Sequence, residues 1–478
     1  MPGFIAFRPD AGELLSSDVS NVLMTAGGYG PRPGFQDAPG AVSLPAAPRG
    51  AFGGYLPDGQ FKGFVATYDD IYTIDADWDY TSLGAAFTVP ADEDEALTQF
   101  GVYLVASNTV DGMYDYDMDT PGTLAAVSGA PAARYMFPAN NQLVALGDGN
   151  DLTSLSVSAF GNHRNWTSVG ADQQNMNDGG AFTGGGEIGN GVALLLQLRS
   201  VRKMTFGDAG NGAKFRLDVL ASDVGCVHPR AQATYNGVCY FLHTDGFYAC
   251  NGGLPVNIGA GKVNKWFLAR CTDLTRVYAA VDPKNTLVRF RYPASGDAST
   301  STVINSYLDY NWTTNEFVPG VESASAIFRM GTPGYVIDTL DSLGTLDDWS
   351  QYPLGSAFWQ GGNFRLAGLD SSYKFSFFDG PGAAATLESP TEGDGRTYLY
   401  NWCEVLSDDA AATIQLGVKE RLSDDFEWKT AQTITASGRT ALRGRGKYAR
   451  IRINHAAGAT WGRDTSVEIT DKRAGGPR

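Results

Sequence analysis

Short apolar and aromatic runs, each broken by turn residues, recur along the chain from about residue 60 onward. Residues 63–75 place a pair of aspartates between two aromatic and β-branched runs, and residues 100–119 place Asp111-Gly112 in the same way. Aromatic and β-branched residues favour strands, and Asp-Gly favours the tight turn between paired strands. Both segments are therefore predicted to be β-hairpins.

Later segments have the same pattern. Residues 238–250 carry Asp245-Gly246 at the tip, which predicts that His243 lies opposite Tyr248 across the hairpin. In two others the turn residues are Pro-Lys-Asn and Thr-Pro-Gly, which also favour tight turns. These hairpins are predicted at residues 277–292 and 327–338.

The spacing of these hairpins bears on the fold. An Asp-x-Asp-x-Asp triplet begins at Asp75 and recurs 40 residues later at Asp115, and a period of about 40 residues is typical of four-stranded propeller blades. No long stretch has helical periodicity, so strands alternating with helices are disfavoured. The pattern predicts an all-β fold and a β-propeller. An array of two-sheet sandwiches is the alternative, because blades and sandwich hairpins look alike in sequence.

The two ends of the chain differ from its middle. Residues 1–58 contain many Gly and Pro and few strand patterns, which predicts an extended arm that contributes to assembly. Residues 394–478 contain five short strand patterns, which predicts a C-terminal β-domain of sandwich type. Residues 447–454 alternate apolar and polar positions, as a half-buried strand does. The propeller is thus predicted to span residues 59–393.

Charge is unevenly distributed along the chain. The formal net charge is −16, but residues 439–478 carry ten Lys or Arg and three Asp or Glu, so residues 1–438 carry −23. An acidic body repels the phosphate backbone, which argues against nucleic-acid binding by that part. The first residues do not resemble a secretion signal and no apolar run reaches membrane-spanning length, which predicts a soluble protein without a membrane anchor.

Motifs for catalysis or metal binding are weak. Residues 184–189 fit GxGxxG, but no helical pattern follows, so nucleotide binding is disfavoured. The aspartate triplets lack the Gly and Glu of an EF-hand loop and are more typical of a solvated acidic edge. Carboxylates such as Asp77 and Glu187 form a glycosidase pair only if the fold brings them together. Tryptophans such as Trp78 and Trp461 are then candidate sugar platforms, although most propeller aromatics pack between blades.

Several parts of the chain resemble a known protein family. They are residues 28–35, 156–166 and 189–208, and near the end 421–434, 443–453 and 465–470. In order and spacing they resemble the tail hub or nozzle proteins, also called packaged-DNA stabilisation proteins, of short-tailed bacteriophages. The resemblance implies a homohexameric ring below the portal and its adaptor, which retains packaged DNA and provides the ejection channel. It implies no catalytic residues.

The resulting hypothesis is a non-enzymatic structural protein of the virion tail, assembled in the host cytoplasm, with no cofactor and no metal. Its expected partners are further copies of itself, the portal adaptor and other tail proteins, while DNA passes through without sequence-specific binding. The alternative is a propeller-type glycan-binding or glycan-degrading tail protein. Five basic residues are candidates for contacts with an acidic neighbour: Arg443, Arg445, Lys447, Arg450 and Arg452.

Overall fold

A computed structural model describes residues 6–331 and 364–474, apart from 13, 26–27, 39, 76–77, 85–86, 92, 169, 190, 208–214 and 465. Over these residues nearly all regular structure is β-strand, so the prediction of an all-β fold is confirmed. The helical segments found there are short. They are α1 (Asn264–Arg270) and the 3-10 turns Pro9–Ala11, Pro229–Ala231 and Leu274–Arg276.

The N-terminal segment contributes strands to larger sheets. Its strands are β1 (Asp18–Ser20), β2 (Val22–Thr25), β3 (Gly28–Pro31) and β4 (Pro33–Asp37). β2 and β3 pair with each other. β1 and β4 pair with strands from the second half of the chain, so this segment is tied into the fold by backbone hydrogen bonds.

Seven four-stranded antiparallel sheets are found among the described residues. The first four contain β5 (Gly50–Tyr55), β6 (Phe61–Ala66), β7 (Ile71–Ile74) and β8 (Tyr80–Ser82); β9 (Ala96–Phe100), β10 (Tyr103–Asn108), β11 (Gly112–Asp117) and β12 (Ala125–Ala126); β13 (Ala133–Ala139), β14 (Gln142–Asp148), β15 (Asp151–Val157) and β16 (Asp172–Asn175); β17 (Phe182–Gly189), β18 (Val192–Gln197), β19 (Val201–Phe206) and β20 (Phe215–Ala221). The other three contain β21 (Gln232–Tyr235), β22 (Val238–His243), β23 (Gly246–Cys250) and β24 (Val256–Asn257); β25 (Tyr278–Asp282), β26 (Leu287–Tyr292), β27 (Ile304–Asn311) and β28 (Glu316–Ala324); β29 (Ala326–Met330), β30 (Arg365–Leu369), β31 (Phe375–Gly382) and, from the N-terminal segment, β4.

The innermost strands of these sheets lie side by side in a closed cycle. The contacts run from β5 through β9, β13, β17, β21, β25 and β29, and β29 contacts β5 again. This arrangement is a seven-bladed β-propeller. β4 pairs with β31 as the outermost strand of blade seven. The ring is therefore closed by a strand from the start of the chain.

Blades one and seven meet through aromatic residues and a glycine. Trp78 is fully buried and stacks on Phe375, with 4.5 Å between the ring centroids. Gly53 of β5 lies so close to blade seven that an added Cβ atom would be 2.2 Å from Sδ of Met330. Glycine in this strand thus allows the close approach of the first and last blades.

The contact between blades six and seven includes a buried ionic cluster beside apolar packing. The guanidinium groups of Arg32 and Arg289 lie 4.1 and 4.3 Å from the ring centroid of Tyr307. Arg289 donates two hydrogen bonds to Asp309, at 2.7 and 2.6 Å, and Arg32 forms an ion pair with Glu322. Both arginines are buried. Because Arg32 directly precedes β4, this cluster anchors the closing strand.

Two further sheets follow the propeller. Their strands are β32 (Ala385–Glu388), β33 (Tyr398–Leu406), β34 (Thr413–Lys419), β35 (Glu427–Trp428), β36 (Gln432–Thr433), β37 (Arg439–Gly446), β38 (Tyr448–His455) and β39 (Ser466–Ala474). The six-stranded sheet contains β1, β32, β38, β34, β35 and β36, and the three-stranded sheet has the order β37-β33-β39. Leu416 of the first sheet and Leu442 of the second belong to one buried cluster, so the two sheets share a core.

Four of the predicted hairpins are confirmed, including the one at residues 238–250, and part of the fifth, at residues 327–338, lies outside the described residues. The register predicted for residues 238–250 is wrong. His243 pairs with Gly246, and Tyr248 pairs with Phe241. The His243 and Tyr248 rings still meet diagonally, with centroids 5.9 Å apart.

Strand pairing places the boundaries of the arm, the propeller and the C-terminal domain at other positions than the expected residues 58 and 394. β5 begins at Gly50 and pairs with β6, so the expected end of the arm falls inside blade one. β32 ends at Glu388 and pairs with β38, so the C-terminal sheets begin before the expected boundary. Content of Gly and Pro suggested the boundaries, whereas backbone pairing decides which unit a strand joins.

Candidate assembly surface

The three-stranded C-terminal sheet has one face on the core and one face toward solvent. β37 alternates strictly between buried and exposed positions, as a half-buried strand requires. Its buried residues are Thr440, Leu442, Gly444 and Gly446, and its exposed residues are Arg439, Ala441, Arg443 and Arg445. We call the solvent side of β37, β33 and β39 the outer face.

Large apolar side chains are exposed at the centre of the outer face. On the middle strand β33, Leu399, Trp402 and Leu406 are 41%, 40% and 46% exposed. Surfaces that mix exposed aromatic and aliphatic side chains with arginine are typical of protein–protein contacts. The composition of the outer face thus favours a docking role.

Basic side chains flank this apolar row. Leu399 lies opposite Arg445 of β37 on one side and Arg473 of β39 on the other. The guanidinium carbon of Arg439 lies 5.5 Å from the ring centroid of Trp402. Arg443 and Arg445 have no ion pair with any of the described carboxylates. Two of the five predicted residues therefore lie, unpaired, on the outer face.

The other three predicted residues lie elsewhere. Lys447 is half-buried between β37 and β38. Arg450 and Arg452 lie on β38 and both pair with Glu388 of β32, at 3.0 Å from Nη1 to Oε2 and at 2.6 Å from Nε to Oε1. Arg450 is 8% exposed, and Arg452 lies over the ring of Trp428. Both arginines contact the same carboxylate on the adjacent strand, and Arg450 is buried, which disfavours the prediction that they are available to a neighbour.

Five outer-face residues were not predicted from the sequence. They are Leu399, Trp402, Leu406, Arg439 and Arg473. Both sides of β33 carry apolar residues, so alternation does not reveal which side is exposed. A usable signal was present in residues 439–445, where arginine or alanine occupies every second position. This alternation marks the exposed side of β37. Because β33 pairs with β37, it also marks the exposed side of β33.

Acidic charge is concentrated in blades one and two. Residues 50–126 contain fourteen Asp or Glu, one Lys and no Arg. Four of the carboxylates that the structure describes are exposed: Asp58, Asp75, Asp79 and Asp119. The first and third turns of an antiparallel blade lie at the same end of its strands, and these residues occupy or border such turns. We call this group the acidic end of blades one and two.

A cavity of about 270 Å³ lies at the propeller axis. Arg230 crosses it, with Nε 2.6 Å from Oδ2 of Asp94 and Nη1 donating to the hydroxyl of Tyr278 at 2.7 Å. Asp94 precedes β9 and Tyr278 lies on β25, so one guanidinium connects blades two and six. These contacts narrow the axial opening.

A second carboxyl at this cavity has an altered pKa. Glu95 is 3% exposed, accepts a hydrogen bond from Asn108 at 2.9 Å through Oε2, and has no hydrogen-bond partner at Oε1. Burial raises the pKa of Glu95 to about 7. No group of three or more potential metal ligands is found in the described part of the chain.

Other sequence candidates have structural partners. Asp115 is buried, lies 2.7 Å from Nε2 of His163 and pairs with Arg164. Burial alone would raise the pKa of Asp115, but these two partners lower it. Asp115 is therefore not part of the solvated acidic edge that was predicted, whereas Asp119 of the same triplet is exposed. The glycine run lies in β17, where a Cβ atom on Gly185 would be 2.4 Å from the carbonyl oxygen of Leu194.

The residues considered for sugar chemistry are not assembled into a site. Trp78 packs against Phe375, and Trp461 is buried against His455, so neither ring is a free platform. Glu187 is exposed on β17, whereas Asp77 lies outside the described residues. Among the described residues no helix has the length and apolar content needed to span a bilayer.

Comparisons with known proteins add little to this geometry. No protein-family model and no curated protein matches the sequence. Among solved structures, BamB from Moraxella catarrhalis aligns over 75% of this chain and 92% of that chain, at 13% sequence identity and a TM-score of 0.34. So distant a likeness carries no argument about function. Any proposal must rest on the outer face and the charge distribution of this chain.

Proposed function

We propose that this protein is a structural ring subunit of the tail of a short-tailed bacteriophage, forming the hub or nozzle below the portal and its adaptor. The observation that carries the proposal is the outer face, where Leu399, Trp402 and Leu406 are exposed on one strand and two neighbouring arginines have no acidic partner among the described residues. Such a surface suits assembly. The resemblance of residues 28–35, 156–166 and 421–434 to tail hub proteins supplies the biological context.

In this role the protein acts as a scaffold, and the DNA path lies between subunits. The axial cavity of about 270 Å³ is far smaller than a duplex, whose major groove alone is about 12 Å wide and 8.5 Å deep. A ring of subunits, a hexamer by resemblance, encloses the wider channel. Carboxylates facing that channel would repel phosphate groups and let the duplex slide.

A second candidate function is glycan binding or cleavage in the axial cavity. It is favoured by the three carboxylates of Glu93, Asp94 and Glu95 at one cavity, because burial raises the pKa of two of them, Asp94 and Glu95. A raised carboxyl pKa beside an ionised one is an arrangement that glycosidases use. Turnover on a glycan panel that Glu95→Gln abolishes would favour this function over the scaffold.

Gold-labelled antibodies against this chain test the scaffold directly. On intact particles we expect label at the tail, below the portal, and closed rings of the purified protein in negative stain. Label restricted to the capsid shell, or absent from particles, would contradict the proposal.

A further inference from the structure

We propose that copies of this protein associate head to tail, with the outer face of one copy against the acidic end of blades one and two of the next. This inference rests on the ring proposed above and specifies its contact. It combines the chemistry of the two surfaces with their positions in the fold.

The part of the outer face around Leu399 carries two arginines without a counter-charge among the described residues. These are Arg443 and Arg445, whereas Arg473, on the other side of Leu399, pairs with Asp471 at 3.6 Å from Nε to Oδ1. Covering Leu399 removes water from the guanidinium groups of Arg443 and Arg445, which is costly without a carboxylate. A partner that buries the apolar row must therefore supply acidic side chains.

The acidic end of blades one and two has the required chemistry. It belongs to residues 50–126, which carry fourteen acidic residues and one basic residue, Lys62. Asp79 and Asp119 are exposed, and their side chains have no ion pair within the described part of the chain. Opposite potentials on two surfaces steer association and fix its orientation.

The two surfaces lie in different directions on one molecule. The C-terminal sheets are attached beside blade six, where β1 and β2 contact β28. Blades one and two are two and three steps around the seven-bladed ring, or about 100–150°, assuming even spacing. The two surfaces are therefore separated on one molecule, and contact between them requires a second copy. A contact between different patches is heterologous and closes into a ring when the rotation between subunits allows it, whereas a two-fold contact of the outer face with itself would place arginines together.

Charge reversal on each surface tests the contact. The first variant carries Arg443→Glu and Arg445→Glu, and the second carries Asp79→Lys and Asp119→Lys. All four positions are exposed, so both variants should fold, as circular dichroism and melting can verify. In sedimentation velocity at low salt, each variant alone should associate at least about tenfold more weakly than the unmodified protein.

Mixing the two variants is the decisive measurement. The reversed outer face of one is complementary to the reversed acidic end of the other, so an equimolar mixture should restore rings with alternating subunits in native mass spectrometry. A control with Arg199→Glu and Arg421→Glu, both exposed and away from the outer face, changes the net charge as the first variant does and should leave rings intact.

Three outcomes would count against the inference. Rings that persist in both variants, or that the mixture fails to restore, would overturn the proposed contact and leave the tail function standing. An equal loss in the control would mean that net charge, and no specific contact, governs association. Unmodified protein that stays monomeric at all concentrations and at low salt would overturn the ring itself, and the proposed function with it.

Discussion

The imidazole of His455 lies between two carboxylates, with Nε2 2.7 Å from Oδ2 of Asp464 and Nδ1 2.7 Å from Oδ2 of Asp409. All three side chains are buried, and the His455 ring stacks on Trp461 at a centroid distance of 4.0 Å. The backbone of Asp464 exchanges hydrogen bonds with Tyr29 of β3. This cluster therefore orders the loop on which the N-terminal segment docks.

The His455 cluster predicts a loss of stability at alkaline pH. Burial alone would lower the pKa of His455, but hydrogen bonds to Asp464 and Asp409 raise it. A raised folded-state pKa adds stability that is fully present below the ordinary pKa of about 6.5 and is lost as pH rises through the folded value. The free energy of unfolding of the native protein should fall over this pH range. In His455→Gln the free energy of unfolding should change less with pH. Parallel pH profiles would contradict the assignment.

Glu95 predicts a separate effect at lower pH. Its pKa is raised from 4.5 to about 7 by burial, so its contribution to stability is present below 4.5 and is lost as pH rises to about 7. A shift of this size corresponds to roughly 3 kcal/mol. Between pH 4.5 and 7, the free energy of unfolding of the native protein should therefore fall by roughly 3 kcal/mol relative to that of Glu95→Gln. Glu187→Gln, on the exposed end of β17, is the control and should leave the profile unchanged.

Glu388 predicts a structural role for two arginines once expected at an interface. Glu388→Gln leaves Arg450 buried without a carboxylate, and breaking a buried pair in this way costs about 3–5 kcal/mol. Arg443→Gln, at an exposed position without a partner, should change the free energy of unfolding by less than about 0.5 kcal/mol. Chemical denaturation of both variants measures the difference. Equal effects would mean that the Glu388 pairs contribute little.

Local features of this fold were predictable from sequence, and contacts between distant segments were not. Hairpins follow from alternation and turn residues within about fifteen residues, so those around Asp111 and Pro283 were found. The register at Asp245 was predicted wrongly because Gly246 was taken for a turn residue. Gly246 lies on β23 and is glycine because the side chain of Asn264 packs against it. A Cβ atom there would be 2.0 Å from Nδ2 of Asn264. The turn itself is formed by the two residues before it.

The errors at the candidate site have the same origin. Arg450 and Arg452 looked exposed because alternation places them opposite the core, but β32 supplies Glu388 beside them. The glycine-rich start of the chain looked irregular because its strands pair with blade seven and the C-terminal sheet. Sequence patterns show which face a residue takes on its own strand, and they do not show what covers that face.

The N-terminal strand predicts the effect of truncation. Removing residues 2–37 takes away β4, exposes the edge of β31 and removes the contact of Phe35 with Phe378, whose ring centroids are 4.6 Å apart. An unpaired edge of this kind favours aggregation. We expect a lower melting temperature and poor solubility. A synthetic peptide of residues 28–38 should raise the melting temperature by restoring the strand, and a scrambled peptide should not. A soluble truncated protein with unchanged melting would contradict this role of β4.

The charge distribution predicts weak binding to duplex DNA. A protein that neutralises Z phosphates shows a slope of log K against log salt of about −0.9Z, so the four outer-face arginines would give a slope of about −3.6. The −13 carried by residues 50–126 opposes that contribution by repulsion. Fluorescence anisotropy with a labelled duplex should therefore detect little binding near physiological salt, and Arg443→Glu with Arg445→Glu should change it little. Tight, salt-sensitive binding that this pair of substitutions abolishes would make the outer face a DNA contact and reverse its assignment to subunit assembly.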